Sequence, residues 1–145
     1  MGVICGEYMV TVYDVPANDL IAAVSGKLKA LGIVEPVYVK YVKTGPHADR
    51  RPEQADYWFT RCASLLRKAY IGSPIGVASL RTHYGGRKNR GVKPEKHVDA
   101  AGSQIRRGLQ QLEKIGLLEK KKTGRFITGK GKKLLDACAK EVSKA

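Results

Sequence analysis

Glycine and proline cut this chain into short pieces, and that punctuation limits what it can fold into. Gly32, Gly45-Pro46, Gly72-Ser73-Pro74, Gly85-Gly86, Gly116 and Thr123-Gly124 separate stretches whose apolar residues recur every three or four positions. Glycine ends helices by turning left-handed, and proline cannot continue one. No stretch approaches the roughly 20 apolar residues of a membrane span, and no heptad pattern runs long enough for a coiled coil. What the punctuation allows is a set of short helices around a shared core.

Five helices follow from the periodicity. In the first, Pro16 and Asn18 precede Leu20, Val24, Leu28 and Leu31, and Gly32 stops it. Residues 33–51 read as a connector, extended through Val37-Tyr38-Val39 and broken at Gly45-Pro46. The second helix begins near Pro52, with Glu53 and Asp56 where negative charge suits a helix N-terminus. Trp58, Cys62, Leu65 and Ala69 form its apolar stripe. A short third helix covers about Val77 to Tyr84, followed by a Gly-, Lys- and Arg-rich loop from Gly85 to His97. The fourth runs from about Asp99 to Ile115 on Ile105, Leu109 and Leu112. Leu117 to Lys122 and Arg125 to Thr128 flank Thr123-Gly124 as a hairpin with a basic tip. Leu134, Leu135, Cys138 and Val142 mark the fifth helix.

The predicted class is mainly α: a five-helix domain with a winged-helix-like core over about 76–143 and one short β-hairpin wing. Residues 9–145 are expected to form a single domain. Met1 to Tyr8 stand apart as a flexible extension. They lack the basic n-region of a secretory signal, and Gly6 occupies the Ser or Thr position of a myristoylation motif.

The charge points to the partner. The 145 residues carry 27 Lys or Arg against 13 Asp or Glu, a net +14. Residues 1–80 hold 9 basic and 7 acidic side chains, whereas residues 81–145 hold 18 and 6. So one-sided a distribution marks a surface for a polyanion, most often nucleic acid.

Its densest part is Gly85-Gly86-Arg87-Lys88-Asn89-Arg90-Gly91, with Lys93 and Lys96 close behind. Here the glycines would let the backbone approach a phosphate chain while Arg and Lys neutralise it. Arg106 and Arg107 project about 100° apart on the fourth helix, so at least one faces outward. Lys120, Lys121, Lys122 and Arg125 crowd the wing, where they guard against edge pairing and also suit a grip on phosphates. On the second helix Arg61, Arg67 and Lys68 lie off the apolar stripe. Trp58, Phe59 and Tyr70 offer a stacking surface, although Trp58 sits on the stripe and reads as core.

Signs of catalysis are weak. Gly124 to Gly131 nearly spells a phosphate-binding loop, but Gly131 stands where the magnesium-binding hydroxyl belongs, and the segment reads as a strand of the wing. His47, His83 and His97 show no metal-ligand spacing, and Cys5, Cys62 and Cys138 indicate neither a disulfide framework nor a zinc site. Neither enzyme activity nor a cofactor or metal is expected.

Thr11-Val12-Tyr13-Asp14-Val15, Trp58-Phe59-Thr60-Arg61, Leu66-Arg67-Lys68-Ala69-Tyr70, Tyr84-Gly85-Gly86-Arg87-Lys88-Asn89-Arg90-Gly91 and Ile105-Arg106-Arg107 with Leu109-Gln110-Gln111-Leu112-Glu113 form a pattern. It resembles the small-subunit ribosomal protein nineteen of eukaryotes and archaea, which is unrelated to the bacterial protein of that number. The resemblance runs from about Met9 to Val142. It implies a place in the head of the small subunit, binding of small-subunit rRNA and a part in maturing its precursor. Neighbouring small-subunit proteins are the other implied partners. The implied location is the cytoplasmic ribosome, with the nucleolus during assembly in a eukaryote.

By motif match Arg61, Arg67, Arg87, Lys88, Arg90, Arg106 and Arg107 inherit the RNA surface, with Trp58 and Tyr70 shaping it. With their basic neighbours the candidate RNA-binding set is Arg61, Arg67, Lys68, Arg87, Lys88, Asn89, Arg90, Lys93, Arg106, Arg107, Lys120, Lys121, Lys122 and Arg125. The rival reading is a winged-helix DNA-binding regulator. It would use the fourth helix in a major groove and usually a dimer, yet no spare dimerisation segment is visible and no homo-oligomer is expected.

Overall fold

The computed structural model describes residues 9–144; the extension expected over Met1 to Tyr8 lies outside them. The chain enters through a turn in which the Asp14 carboxylate accepts the Thr11 amide and hydroxyl at 2.7 and 2.8 Å. Those bonds hold the Asp14 carboxyl below its ordinary pKa, and Val12 and Val15 are buried on either side of Asp14. The first helix, α1 (Ala17–Ala30), buries Leu20, Val24 and Leu28. Leu31 continues that spacing but is 45% exposed. The helix ends at that residue, and Gly32, at φ 85°, turns the chain so that Ile33 enters the core instead.

The connector is not extended at Val37-Tyr38-Val39. Val37–Lys40 is a 3-10 turn after Pro36, in which the Val39 amide donates to the Pro36 carbonyl at 3.0 Å and Val39 is buried. The second helix, α2 (Tyr57–Gly72), starts later than the Pro52 reading. The preceding stretch is tied back by Arg51, whose guanidinium donates to the Lys40 carbonyl at 2.8 Å. Trp58, Cys62, Leu65 and Ala69 are fully buried, as the stripe predicts, and burial pushes the Cys62 thiol up to about 12. Cys62 is therefore packing, not a nucleophile.

Then come α3 (Val77–Tyr84), β1 (Gly86–Arg90), β2 (Lys93–Val98), α4 (Gly102–Lys114), β3 (Leu118–Lys121), β4 (Gly124–Ile127) and α5 (Gly129–Lys144). The segment read as a loop from Gly85 to His97 is an antiparallel hairpin, pairing Arg87 with His97 and Lys88 with Lys96. A bulge follows before Arg90 meets Lys93. The wing forms as predicted: Leu118 pairs with Ile127 and Lys120 with Arg125. The chain before α3 joins it, since Ile75 and Arg125 exchange both backbone hydrogen bonds at 3.0 Å. The start of α4 shifts from Asp99 to Gly102 because the backbone is still extended at Ala101 (φ −64°, ψ 121°), where the Ala100 and Ala101 amides donate to the Arg81 and Thr44 carbonyls.

One cluster of buried side chains runs through all five helices, so the fold is mainly helical with a winged-helix-like core. Helix α1 packs along α2 and reaches α5, and α2 packs on α4. Two glutamines seven residues apart on α4 stitch the connector to α2. Gln104 accepts the Tyr57 hydroxyl at 2.9 Å and donates to the Lys43 carbonyl. Gln111 accepts the Trp58 indole N–H at 3.0 Å and donates to the Val34 carbonyl at 2.7 Å. Seven residues are about two helical turns, so one face of α4 makes both contacts.

Candidate nucleic-acid interface

Leu80 on α3 and Ile105, Leu109 and Leu112 on α4 point into the core, which turns their neighbours outward. Arg81 comes out beside the first hairpin, and its Nε–H donates to the Ala100 carbonyl at 3.0 Å. With Lys88, Arg90, Lys96, His97 and Asp99 it lines a hollow of about 620 Å³. A second depression, between α3 and α4, shares Arg81 and adds Ser103 and Arg106. A third, along α4, shares Ser103 and Arg106 and adds Arg107, Gln110 and Lys114. The three therefore adjoin, and Asp99 is the one carboxylate lining any of them.

That run brings together four sequence-predicted residues: Lys88, Arg90, Arg106 and Arg107. Arg107 is steadied by the Tyr38 ring, whose centroid lies 5.0 Å away. The others are placed differently. Arg87 pairs with Glu95 across the hairpin, and the Asn89 side chain accepts the Gly91 amide at 2.9 Å, shaping the tip. Lys93 is exposed and sits opposite Arg90 across that tip. Two glycines of the motif are closely packed, whereas Gly91, at φ 71°, has open space around it. A Cβ on Gly85 would strike the Val98 carbonyl oxygen, and one on Gly86 would lie 3.0 Å from the His47 ring.

On α2, Arg61 is half-buried, with its guanidinium 4.3 Å from the Tyr84 ring centroid and its Nε donating to the Tyr57 hydroxyl at 3.2 Å. Arg67 and Lys68 are half-buried on the same helix, and the buried Arg67 Nε has no partner among the described residues. Burial, then the charges of Lys68 and Arg61 on α2, lower the pKa of His83 on α3. On the wing Lys120 and Lys122 are exposed, and Lys121 lies 3.5 Å from Glu119. Arg125 turns inward and pairs with Glu113, its side chain only 13% exposed. Trp58 is fully buried, so it stacks on no ligand. Tyr70 is half-buried, edge-on to Tyr13 at 5.8 Å.

The sequence reading missed Arg81, Ser103, Gln110 and Lys114, and left Lys96 and His97 outside its binding set. Ser103, Arg106, Gln110 and Lys114 follow one another at three- and four-residue steps, the spacing of one helix face. Arg81 follows the core residue Leu80. Those offsets were signals in plain view, masked by the denser charge of the hairpin and the wing.

Comparison with known proteins identifies the architecture. The family model described as ribosomal protein S19e matches residues 11–145. The chain belongs to that family. It is 46% identical over 138 residues to small ribosomal subunit protein eS19 of Aeropyrum pernix, covering 92% of this chain and 90% of that protein. To the eS19 of Candida albicans it is 47% identical over 133 residues, covering 90% and 92%. To that of Haloarcula marismortui it is 41% identical over 137 residues, covering 90% of each. Membership in S19e makes the chain a structural component of the ribosome and not an enzyme. Among the described residues no helix is long and apolar enough to cross a membrane.

Proposed function

We propose that this S19e chain is a structural constituent of the small-subunit head, where it binds small-subunit rRNA by shape and phosphate contacts and supports maturation of the rRNA precursor. The observation that carries the reading is the run of three adjoining depressions from the first hairpin across α3 to α4, rich in Arg and Lys and holding one carboxylate. An RNA helix hides its base edges in a deep, narrow major groove, so backbone contact is its expected mode of recognition. The relatives' names, small ribosomal subunit protein, support the same partner.

The remaining cations of the sequence-predicted set extend this surface: Arg61, Arg67 and Lys68 along α2, Lys93 at the hairpin tip, and Lys120, Lys121 and Lys122 on the wing. Asn89 shapes the tip, and Arg125 supports the wing from inside. Neighbouring small-subunit proteins are the second class of partner, and the cytoplasmic ribosome is the place of action, with the nucleolus before it in a eukaryotic cell. The test is sucrose-gradient sedimentation of the tagged protein, then RNA crosslinking on the subunit fraction. Co-migration with small subunits and crosslinks at Arg106 and Arg107 are expected. Migration apart from subunits, with binding to a discrete duplex DNA site, would overturn the reading.

A further inference from the structure

We propose that the hollow between α3 and the first hairpin is a built seat for a single phosphate group, filled by one backbone phosphate of the RNA; this rests on the rRNA reading above. Lys88 and Lys96 face each other directly across the strands. Like charges so placed destabilise a hairpin, and an anion seated between them would relieve that repulsion. Arg81, Lys88, Arg90 and Lys96 make no ion pair among the described residues. Of the nearby acids, Glu95 pairs with Arg87, and Asp99 stands in the lining 3.9 Å from the His97 ring. Four cations without an ion-pair partner among the described residues thus line, with the single carboxylate of Asp99, one concave space of about 620 Å³.

The hollow is also preorganised. Arg81 is fixed at its Nε by the Ala100 carbonyl, while the Ala100 amide donates back to the Arg81 carbonyl at 3.0 Å. Its two terminal amino groups make no hydrogen bond within the described residues. The root of the hairpin has no slack, because a Cβ on Gly85 would strike the Val98 carbonyl. A guanidinium fork with ammonium groups from a second direction suits a tetrahedral oxyanion. A planar carboxylate would leave part of that donor set unused.

The test uses the full chain and inorganic phosphate, followed by NMR and compared with sodium acetate at matched ionic strength. Saturable shifts centred on the Arg81 Nε–H and the Lys96 and His97 amides are expected with phosphate. In Lys88→Gln/Lys96→Gln, an exposed pair whose replacement leaves the core untouched, phosphate binding should weaken about tenfold. Arg81→Lys keeps the charge but loses the fork and should weaken binding as well. Shifts that never saturate, or that survive unchanged in the double variant, overturn the seat. Equal saturation by acetate also overturns it, pointing to an acidic peptide.

The second arm titrates a transcript of the head domain of small-subunit rRNA against salt. A shallower salt dependence in the double variant supports occupation by RNA, whereas an unchanged slope overturns it. If the transcript fails to bind the wild type while phosphate still saturates the hollow, the rRNA reading falls and the seat stands.

Discussion

The two hairpins of this chain have similar length and charge but opposite relations to the fold. In the wing Leu118 is buried, β4 is half-buried throughout, Ile75 pairs with Arg125, and the Arg125 guanidinium bonds Glu113 on α4. In the first hairpin nearly every residue of both strands is exposed, and its Arg–Glu pair sits on the outside, with Arg87 79% exposed. Charge alone does not distinguish a structural wing from a ligand-facing arm. What distinguishes them is anchoring: the wing is tied to the interior through Leu118 and the Arg125–Glu113 pair, whereas the first hairpin's pair lies outside.

The largest effect expected from that difference is on stability. Arg125→Ala leaves the Glu113 carboxylate half-buried without its partner and should cost about 3 kcal/mol in urea unfolding. Arg87→Ala removes an exposed pair and should cost no more than about 1 kcal/mol. Equal losses would abolish the distinction between the hairpins.

These contrasting roles were only partly legible in the sequence. The helices were, because Leu20-Val24-Leu28 and Trp58-Cys62-Leu65-Ala69 place apolar residues at helical intervals, and glycine marks two of the ends. The first hairpin was not. Gly86 to Arg90 and Lys93 to Val98 have almost no apolar residues, so there is no alternation to read; backbone pairing and the tight Gly85 packing hold it instead. The inward turn of Arg125 depends on Glu113, which only the folded turn after α4 brings near. In the candidate site, Arg106, Arg107, Lys88 and Arg90 were found by charge density. Arg81 became visible only when α3 and the hairpin were packed together.

RNA binding should show the reverse order of importance. Lys88→Ala/Arg90→Ala/Lys93→Ala should flatten the dependence of log affinity on log salt by about two to three, at roughly 0.7–0.9 for each phosphate no longer neutralised. Its melting temperature should stay within about 4 °C of the wild type, since surface changes lie within about 0.5 kcal/mol. Lys120→Ala/Lys121→Ala/Lys122→Ala should flatten the slope less, by about one to two, because Glu119 already stands near Lys121. Filter binding of the head-domain transcript at several salt concentrations measures both. A wing variant that loses more slope than the first-hairpin variant would transfer the principal RNA contact to the wing.

The smallest effect tests the comparison most directly, because both hairpins set cations opposite each other. Lys88 faces Lys96 in the first and Lys120 faces Arg125 in the second, but Glu113 neutralises only Arg125. Removing Lys88 should therefore relieve repulsion, and removing Lys120 should not. Lys88→Ala is expected to stabilise the RNA-free protein by about 0.2–1 kcal/mol at low salt and to slow amide exchange across the Lys88–Lys96 pair. Lys120→Ala should leave the corresponding wing amides unchanged. The gain should fade at about 1 M salt, where the screening length falls to about 3 Å. Persistence at high salt would assign it to backbone or packing effects, and a gain from Lys120→Ala as well would show that the Glu113 pair does not set the hairpins apart.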